Sequence, residues 1–574
     1  MVQGLIQRPM KRQSWSHFCG IRSTKSPILF ASSKRWLTSK GRDQLRVAIA
    51  GGGVAGLSAA LHLAPLVEEG LIASPIDIFD VPDKEKKDRD IGVGLWTTAL
   101  DALAPDVTTR PSHQTVYEGL TKGVSTWLDY VGYRTPNGRW LMQSQLPGSL
   151  EEHLQTKFPG LLFQRERDLL GLLQKAVHWE EQLGTLQVHR GLQTQVAGIA
   201  HDEWWVQGQM QHPFSAKLEL TKQNDPAANP INSERDYHLI VAADGTFSNL
   251  RQKYGGIDAM MSSSAGALSS PSMDVSLSST AAANSSSVSW DSANHQEAVG
   301  TQDRHYTVFR GNARITSEQL NEIDPHAILT GGDSSSSRAS FQTWGTHNSM
   351  RFATVPMFCP VSKSSDSGET TNHDQKTQQS SKQEHQVWFI TVNDPDITQE
   401  TDPQKRVDML LNGHFQAWHS PIAEIVRATD PSTILVDRAI AHRHCMGPVS
   451  NMNRVLQRLE SDASRIGNVN GSASTRDPDR PYAGGPGPAL VFLGDAMMTV
   501  DPILAQGFTM AMEGSANLQE SVRRALKADD SVCPPPLNFD PYGKCRELVL
   551  RYARNIFQKS KWIADKHISM NCPR

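Results

Sequence analysis

The feature that most constrains this chain is a run of bare glycines set between an apolar strand and a helix. Val47-Ala48-Ile49-Ala50 leads directly into Gly51-Gly52-Gly53-Val54-Ala55-Gly56. In the spacing Gly-x-Gly-x-x-Gly, Gly51, Gly53 and Gly56 permit a tight turn, close approach of backbone to a pyrophosphate, and tight packing of helix on sheet. The helix N-terminus that follows, from Val54 and Ala55 onward, offers N–H donors to an anion. Leu57, Ala60, Leu61 and Ala64 share one helical face, and Pro65 is expected to disturb the helix there. Residues 75–80 read as a second strand ending in Asp80, whose carboxylate can accept hydrogen bonds from a ribose hydroxyl. The interval from Gly51 to Asp80 exceeds the usual spacing of about 20 residues, which implies an extended link between helix and strand around residues 67–74.

Two later segments repeat the theme of a buried strand ending in a polar turn. Leu239-Ile240-Val241-Ala242-Ala243 runs into Asp244-Gly245, with Ser248 and Arg251 just beyond, so a carboxylate and a cation can stand beside a bound dinucleotide. Taken alone, Asp-Gly is an ordinary turn signal. Ala489-Leu490-Val491-Phe492-Leu493 ends in Gly494-Asp495-Ala496, and Asp501 to Gly507 then opens a long helix. Ala511, Leu518, Val522 and Leu526 keep helical register, which puts the helix N-terminus near Gln506-Gly507, where it can stabilise negative charge.

In this order the three motifs resemble the class A FAD-dependent monooxygenases typified by 4-hydroxybenzoate hydroxylase, from Arg46 to about residue 566. Smaller matches accompany them. Ile91 to Trp96, including Gly94, is similar to that family's glycine loop near the flavin ring, and Arg167 with Leu170 and Leu173 to its Arg-x-x-Leu segment, with Arg165 a rival for the arginine. Residues 351–356 and 387–389 are similar to its sheet strands. The resemblance implies FAD as cofactor, with Gly51, Gly53 and Gly56 at the pyrophosphate, Asp80 at the adenine-side ribose and Arg167 near the cofactor. It further implies that Asp244 and Gly245 border the cofactor and a transient nicotinamide path, and that Asp495 holds the ribityl or ribose side. Two departures stand out: Met497-Met498-Thr499 replaces the His that many relatives carry after Gly-Asp-Ala, and Ala505-Gln506-Gly507 replaces Gly-Gln-Gly.

The implied activity is oxygenation of a small aromatic or isoprenoid-type substrate with NAD(P)H and O2, through a C4a-hydroperoxyflavin. The closest branches are the zeaxanthin epoxidases and urate hydroxylases. A ubiquinone-biosynthesis ring hydroxylase is the alternative, and a noncatalytic FAD-binding protein is the competing class. A second Gly-x-Gly-x-x-Gly and a redox dithiol are both missing from the sequence, which disfavours a disulfide reductase. No side chain is nominated as catalytic acid or base; His442 and His444 form a pair more in keeping with a structural or surface role.

Composition narrows the partners. The chain balances 57 Lys and Arg against 60 Asp and Glu for a net charge of -3, which gives no electrostatic reason for a nucleic-acid partner. Its six cysteines are scattered without metal-like spacing, so neither a disulfide framework nor a metal is expected. No apolar run approaches the roughly 18 residues that cross a bilayer, although peripheral membrane contact stays open.

The expected fold is α/β: a Rossmann-like FAD-binding domain over residues 46–255 and 488–530, interleaved with a mostly antiparallel β-sheet substrate domain over 300–450. Polar, Ser-rich stretches at 260–299, 362–386 and 461–487 read as inserts, and 535–574 as a C-terminal helix. Residues 1–45 are basic, serine-rich and free of acids up to Arg42, a composition suited to a mitochondrial transit peptide, with plastid or cytoplasmic residence the alternatives. Residues 1–45 fused to a fluorescent reporter should deliver it to mitochondria; a purely cytosolic signal would refute the import reading.

Overall fold

The computed structural model describes residues 44–81, 91–103, 110–122, 125–128, 130–145, 161–190, 195–200, 216–221, 230–254, 301–325, 339–345, 350–360, 382–442, 489–499 and 506–527. Residues 1–43 of the expected leader, the inserts at 260–299 and 461–487, residues 362–381 and the expected C-terminal helix at 535–574 lie outside them. At its centre is a five-stranded parallel sheet of β1 (Val47–Ala50), β2 (Ile76–Asp80), β3 (Leu186–Arg190), β4 (Leu239–Ala242) and β5 (Ala489–Phe492). Their spatial order is β5-β4-β1-β2-β3. That is the doubly wound order, and it reverses between β1 and β4, where such sheets open a crevice at the strands' carboxyl ends.

The helix after the glycines, α1 (Val54–Glu68), is buried on nearly every side, as its apolar composition requires. It lies against α2 (Glu166–Gln182) and α3 (Gly507–Lys527). Ala511, Leu518 and Val522 of α3 are all buried, as their register predicts. Pro65 does not break α1. The helix runs three residues past it to Glu68 and closes with Glu69 N–H on the Pro65 carbonyl. Beyond it, Leu71 and Ile72 donate back to the Leu66 carbonyl and a bridge joins Leu45 to Ile72, which accounts for the long interval before Asp80.

A seven-stranded sheet forms the second layer. Its order is Leu435–His442, Thr301–Ala313, Lys382–Val392, Arg351–Pro360, Ala339–Trp344, Tyr130–Arg134, Trp140–Gln145, antiparallel except where Ala339–Trp344 runs parallel to Tyr130–Arg134. Two expectations change here. Strands Tyr130–Arg134 and Trp140–Gln145 come from the stretch assigned to the FAD-binding domain, so the sheet is closed by chain from both sides of the fold. Lys382 to Gln386, expected within an insert, are strand instead, because each pairs with residues 356–360 across the ladder. One face of this sheet buries Phe309, Phe352, Trp388 and Ile390 under the helices of residues 395–427. The other packs Val355, Met357 and Val387 against Trp96, Leu128 and Phe163 of a three-stranded sheet formed by Gly92–Trp96, Leu161–Arg165 and Thr126–Leu128.

Helices α1, α2 and Pro111–Lys122 enclose a polar pocket of side chains in an otherwise apolar core. Arg110 bridges Glu180 at 2.8 Å and Glu68 at 3.2 Å, and the rings of His62 and His113 meet edge-on at 5.6 Å. Burial, with His62 and Arg110 adding repulsion, pulls the His113 imidazole from 6.5 down to about 3. The unfolded chain therefore takes up a proton below 6.5 that the folded chain refuses until about 3, so stability is full above 6.5 and is lost as pH falls through that window. Thermal melts between pH 7 and pH 4 should show this slope, and His113→Gln should flatten it; an unchanged slope would remove His113 as its source.

Candidate cofactor site

Three backbone hydrogen bonds gather the motifs at one edge of the parallel sheet. Gly51 N–H donates to the Phe79 carbonyl at 2.9 Å, Ala243 N–H to Ala50 at 2.8 Å, and Leu493 N–H to Ala242 at 2.9 Å. Gly51, Asp244 and Asp495, far apart in sequence, thus line one crevice at the switch between β1 and β4.

The glycines are required sterically. Gly51 has a φ of +108°, and a Cβ there would lie 2.3 Å from the Ala243 carbonyl oxygen. A Cβ on Gly56 would lie 1.9 Å from the Gly51 oxygen, and one on Gly52 would lie 2.1 Å from Cγ of Asp80. The Asp80 carboxylate therefore rests directly on the glycine turn. Around Gly53 and Gly245, by contrast, there is open space among the described residues.

The end of α1 at Val54 and Ala55 has no side-chain cap and no acidic residue in its first turn, so its N–H groups face the crevice available to an anion. Asp244 accepts from Asn249 N–H through Oδ2 at 3.0 Å, while its Oδ1 is buried without a hydrogen-bond partner among the described residues. Burial pushes this carboxyl above the ordinary carboxylate range, with local hydrogen bonds opposing. An unused acceptor, an uncapped helix end and open volume at two glycines fit an adenine dinucleotide with its hydroxyls and pyrophosphate.

The third motif is seated by contacts to the other two. Gly494 has a φ of +56°, and a Cβ there would lie 2.7 Å from the Ala55 Cβ. Thr246 Oγ1 donates to Asp495 Oδ2 at 3.3 Å. Gly507 opens α3 beside Asp495, and Gln506 before it is buried. Residues 501–505 are outside the described residues.

Three sequence readings shift. Arg251, expected beside the dinucleotide, is fully buried and donates to the carbonyls of Ala496 and Met497, so it is a strut between the second and third motifs. Ser248 likewise caps locally, accepting from Arg251 N–H at 3.0 Å. Of the two arginines after the glycine loop, Arg167 is exposed, whereas Arg165 is buried and forms a two-pronged pair with Asp168 at 2.6 and 3.0 Å. Arg165 also sits opposite Gly92 in the ladder, which places it by the glycine strand carrying Gly94. The sequence motifs do not mark Thr509, whose Oγ1 accepts from Trp96 N–H at 3.0 Å and ties that strand to α3. His442 ends a strand of the seven-stranded sheet, and His444 lies outside the described residues.

No protein-family model and no curated protein sequence matches the chain. Solved structures do. One described as an FAD-containing monooxygenase from Photorhabdus luminescens subsp. laumondii aligns over 92% of this chain and all of its own, with a TM-score of 0.50 at 12% identity. The chain has the fold of the class A FAD-dependent monooxygenases. Klebsiella pneumoniae HpxO, in complex with FAD and uric acid, aligns over 83% of this chain and 80% of its own at 16% identity and a TM-score of 0.46. The 2,6-dihydroxypyridine-3-hydroxylase of Arthrobacter nicotinovorans aligns over 92% of this chain and 93% of its own at 13% identity and a TM-score of 0.47.

Gly52→Ala should force the Asp80 carboxylate off the turn and weaken FAD binding at least about tenfold, or about 1.4 kcal/mol. Flavin fluorescence quenching on reconstitution measures this; undiminished affinity would take Asp80 out of the site.

Proposed function

We propose that the chain is an FAD-dependent monooxygenase that uses NAD(P)H and O2 to oxygenate a small organic substrate, with FAD held in the crevice between β1 and β4. The observation that carries this reading is the convergence of the glycine turn, Asp80, Asp244-Gly245 and Asp495 on one sheet edge, with bare backbone and an unused buried acceptor facing it. When bound, FAD supplies hydride acceptance and oxygen activation; the residues around it bind, orient and exclude water.

Gly51, Gly53 and Gly56 with the N-terminus of α1 hold the pyrophosphate, and Asp80 accepts from the adenine-side ribose. Asp495, positioned by Thr246 and by the Arg251 strut, holds the sugar-alcohol chain leading to the flavin ring. The N-terminus of α3 at Gln506 and Gly507 would favour negative charge on a bound flavin. Arg165 takes the role that sequence spacing assigns to Arg167, because only Arg165 is buried beside the glycine strand. Val355, Met357 and Val387 of the seven-stranded sheet pack against Trp96 of the glycine strand, and this apolar packing would help keep water from a bound flavin. Among the described residues no helix is long and apolar enough to cross a membrane, and no cluster of acidic, His or Cys side chains is suited to a metal.

Protein from residue 45 onward should carry a flavin spectrum, bleach under argon with NADH or NADPH, and recover its colour with oxygen. Retention of FAD without reduction by either nicotinamide would reduce the chain to a flavin-binding protein, and failure to bind FAD on reconstitution would overturn the reading entirely.

A further inference from the structure

The helices laid over the seven-stranded sheet, on the face turned away from the glycine strand, are parted by an open cavity of about 460 Å³. That volume lies within the roughly 300–1,000 Å³ of small-molecule sites. Its floor continues the apolar layer under these helices. Ile397 is 1% exposed, Met409 is partly buried against the same cluster, and a Cβ on Gly413 would meet nothing within 4 Å. One wall is Leu410–His414, a π turn closed by Phe415 N–H on the Leu410 carbonyl at 3.0 Å. Such wide turns are rare and gather at functional sites.

The polar lining is made of acceptors. His414 Nε2 meets Asp394 Oδ2 at 2.7 Å, and because a carboxylate only accepts, the proton lies on Nε2 and the neutral ring keeps a lone pair on Nδ1. The His414 bond, together with the N–H groups of Asp396 and Ile397, holds the Asp394 carboxyl below the ordinary carboxylate range, so it is an anion at neutral pH. Asp408 accepts from the Gln404 amide at 3.2 Å and has no cationic partner among the described residues. Both local cations are drawn off by Glu400: its carboxylate holds the Lys405 ammonium at 2.5 Å, and its carbonyl accepts from Arg406 Nε at 3.1 Å.

Two carboxylates, an imidazole lone pair and the Asn412 amide thus line an apolar floor with no cation of the chain's own to answer them. An acid would meet like charge here. The complement is a primary ammonium, with three donors and one positive charge, carried on a short apolar tail. An aromatic tail gains a further contact with the Met409 thioether.

We propose that this cavity binds a small arylalkylammonium, with its cation on Asp394 and Asp408 and its ring on Ile397, Met409 and the bare backbone of Gly413. The site lies on the other face of the seven-stranded sheet from the glycine strand, and it stands independently of the flavin reading.

The test is calorimetric titration of the full-length protein, with FAD added, using 2-phenylethylamine, its neutral counterpart 2-phenylethanol and the anionic 3-phenylpropionate. The amine should bind at least about tenfold more tightly than either of the others. Gly413→Leu, which puts a side chain into the open space, should weaken amine binding at least about tenfold and leave FAD content unchanged. Asp408→Asn should weaken the amine by about as much without moving the alcohol. Lys405→Gln removes a like charge from the rim and should tighten the amine about two- to fivefold, a gain that a damaged fold would not produce. Equal binding of the three probes, no binding of the amine, undiminished amine binding in Gly413→Leu, or weaker amine binding in Lys405→Gln overturns the proposal.

Discussion

The close approach of bare backbone at the carboxyl edge of the parallel sheet is the constraint on which the rest depends. Gly51 lies so near the Ala243 carbonyl, and Gly56 so near Gly51, that a single methyl at either place would push β1, β4 and α1 apart. Because they close up, the Asp-Gly and Gly-Asp turns arrive at the same crevice as the glycine turn. Seating Gly494 on Ala55 then brings α3 alongside α1, and the buried faces of both helices complete the core.

Charge in this fold is placed by partnership. The buried cations are spoken for by backbone or carboxylate: Arg251 by the Ala496 and Met497 carbonyls, Arg110 by Glu180, Arg134 by Asp324. Asp77, buried within β2, is held by Tyr237 at 3.0 Å and His189 at 2.7 Å. Against that background the buried Asp244 oxygen at the end of β4 has no hydrogen-bond partner among the described residues.

Much of the nucleotide half was legible in sequence, because its signals are local. A strand, three glycines and a helix in immediate succession admit few folds, and the burial of Ala511, Leu518 and Val522 follows from spacing along one helix. Pro65 misled because its effect depends on where the helix ends, which the turn beyond it decides. Arg165 and Arg167 could not be separated by spacing, since both flank a strand-to-helix junction; the strand's last residue is drawn inward and the helix's second residue outward. The domain assignment failed at residues 130–145, since pairing of Tyr130–Arg134 with Ala339–Trp344 joins segments about two hundred residues apart through backbone bonds that leave little trace in side-chain pattern.

What the sequence by itself determined is the class of fold, the glycine turn and the three polar strand ends, each written within a dozen or so adjacent residues. Tertiary structure alone decided that those ends share one crevice, that Arg251 braces two motifs, and that Tyr130–Arg134 and Trp140–Gln145 complete the seven-stranded sheet. The physical reason is that a turn needs only its neighbours, whereas a site is an intersection of strands, and the register that aligns them is set by packing on both faces of two sheets.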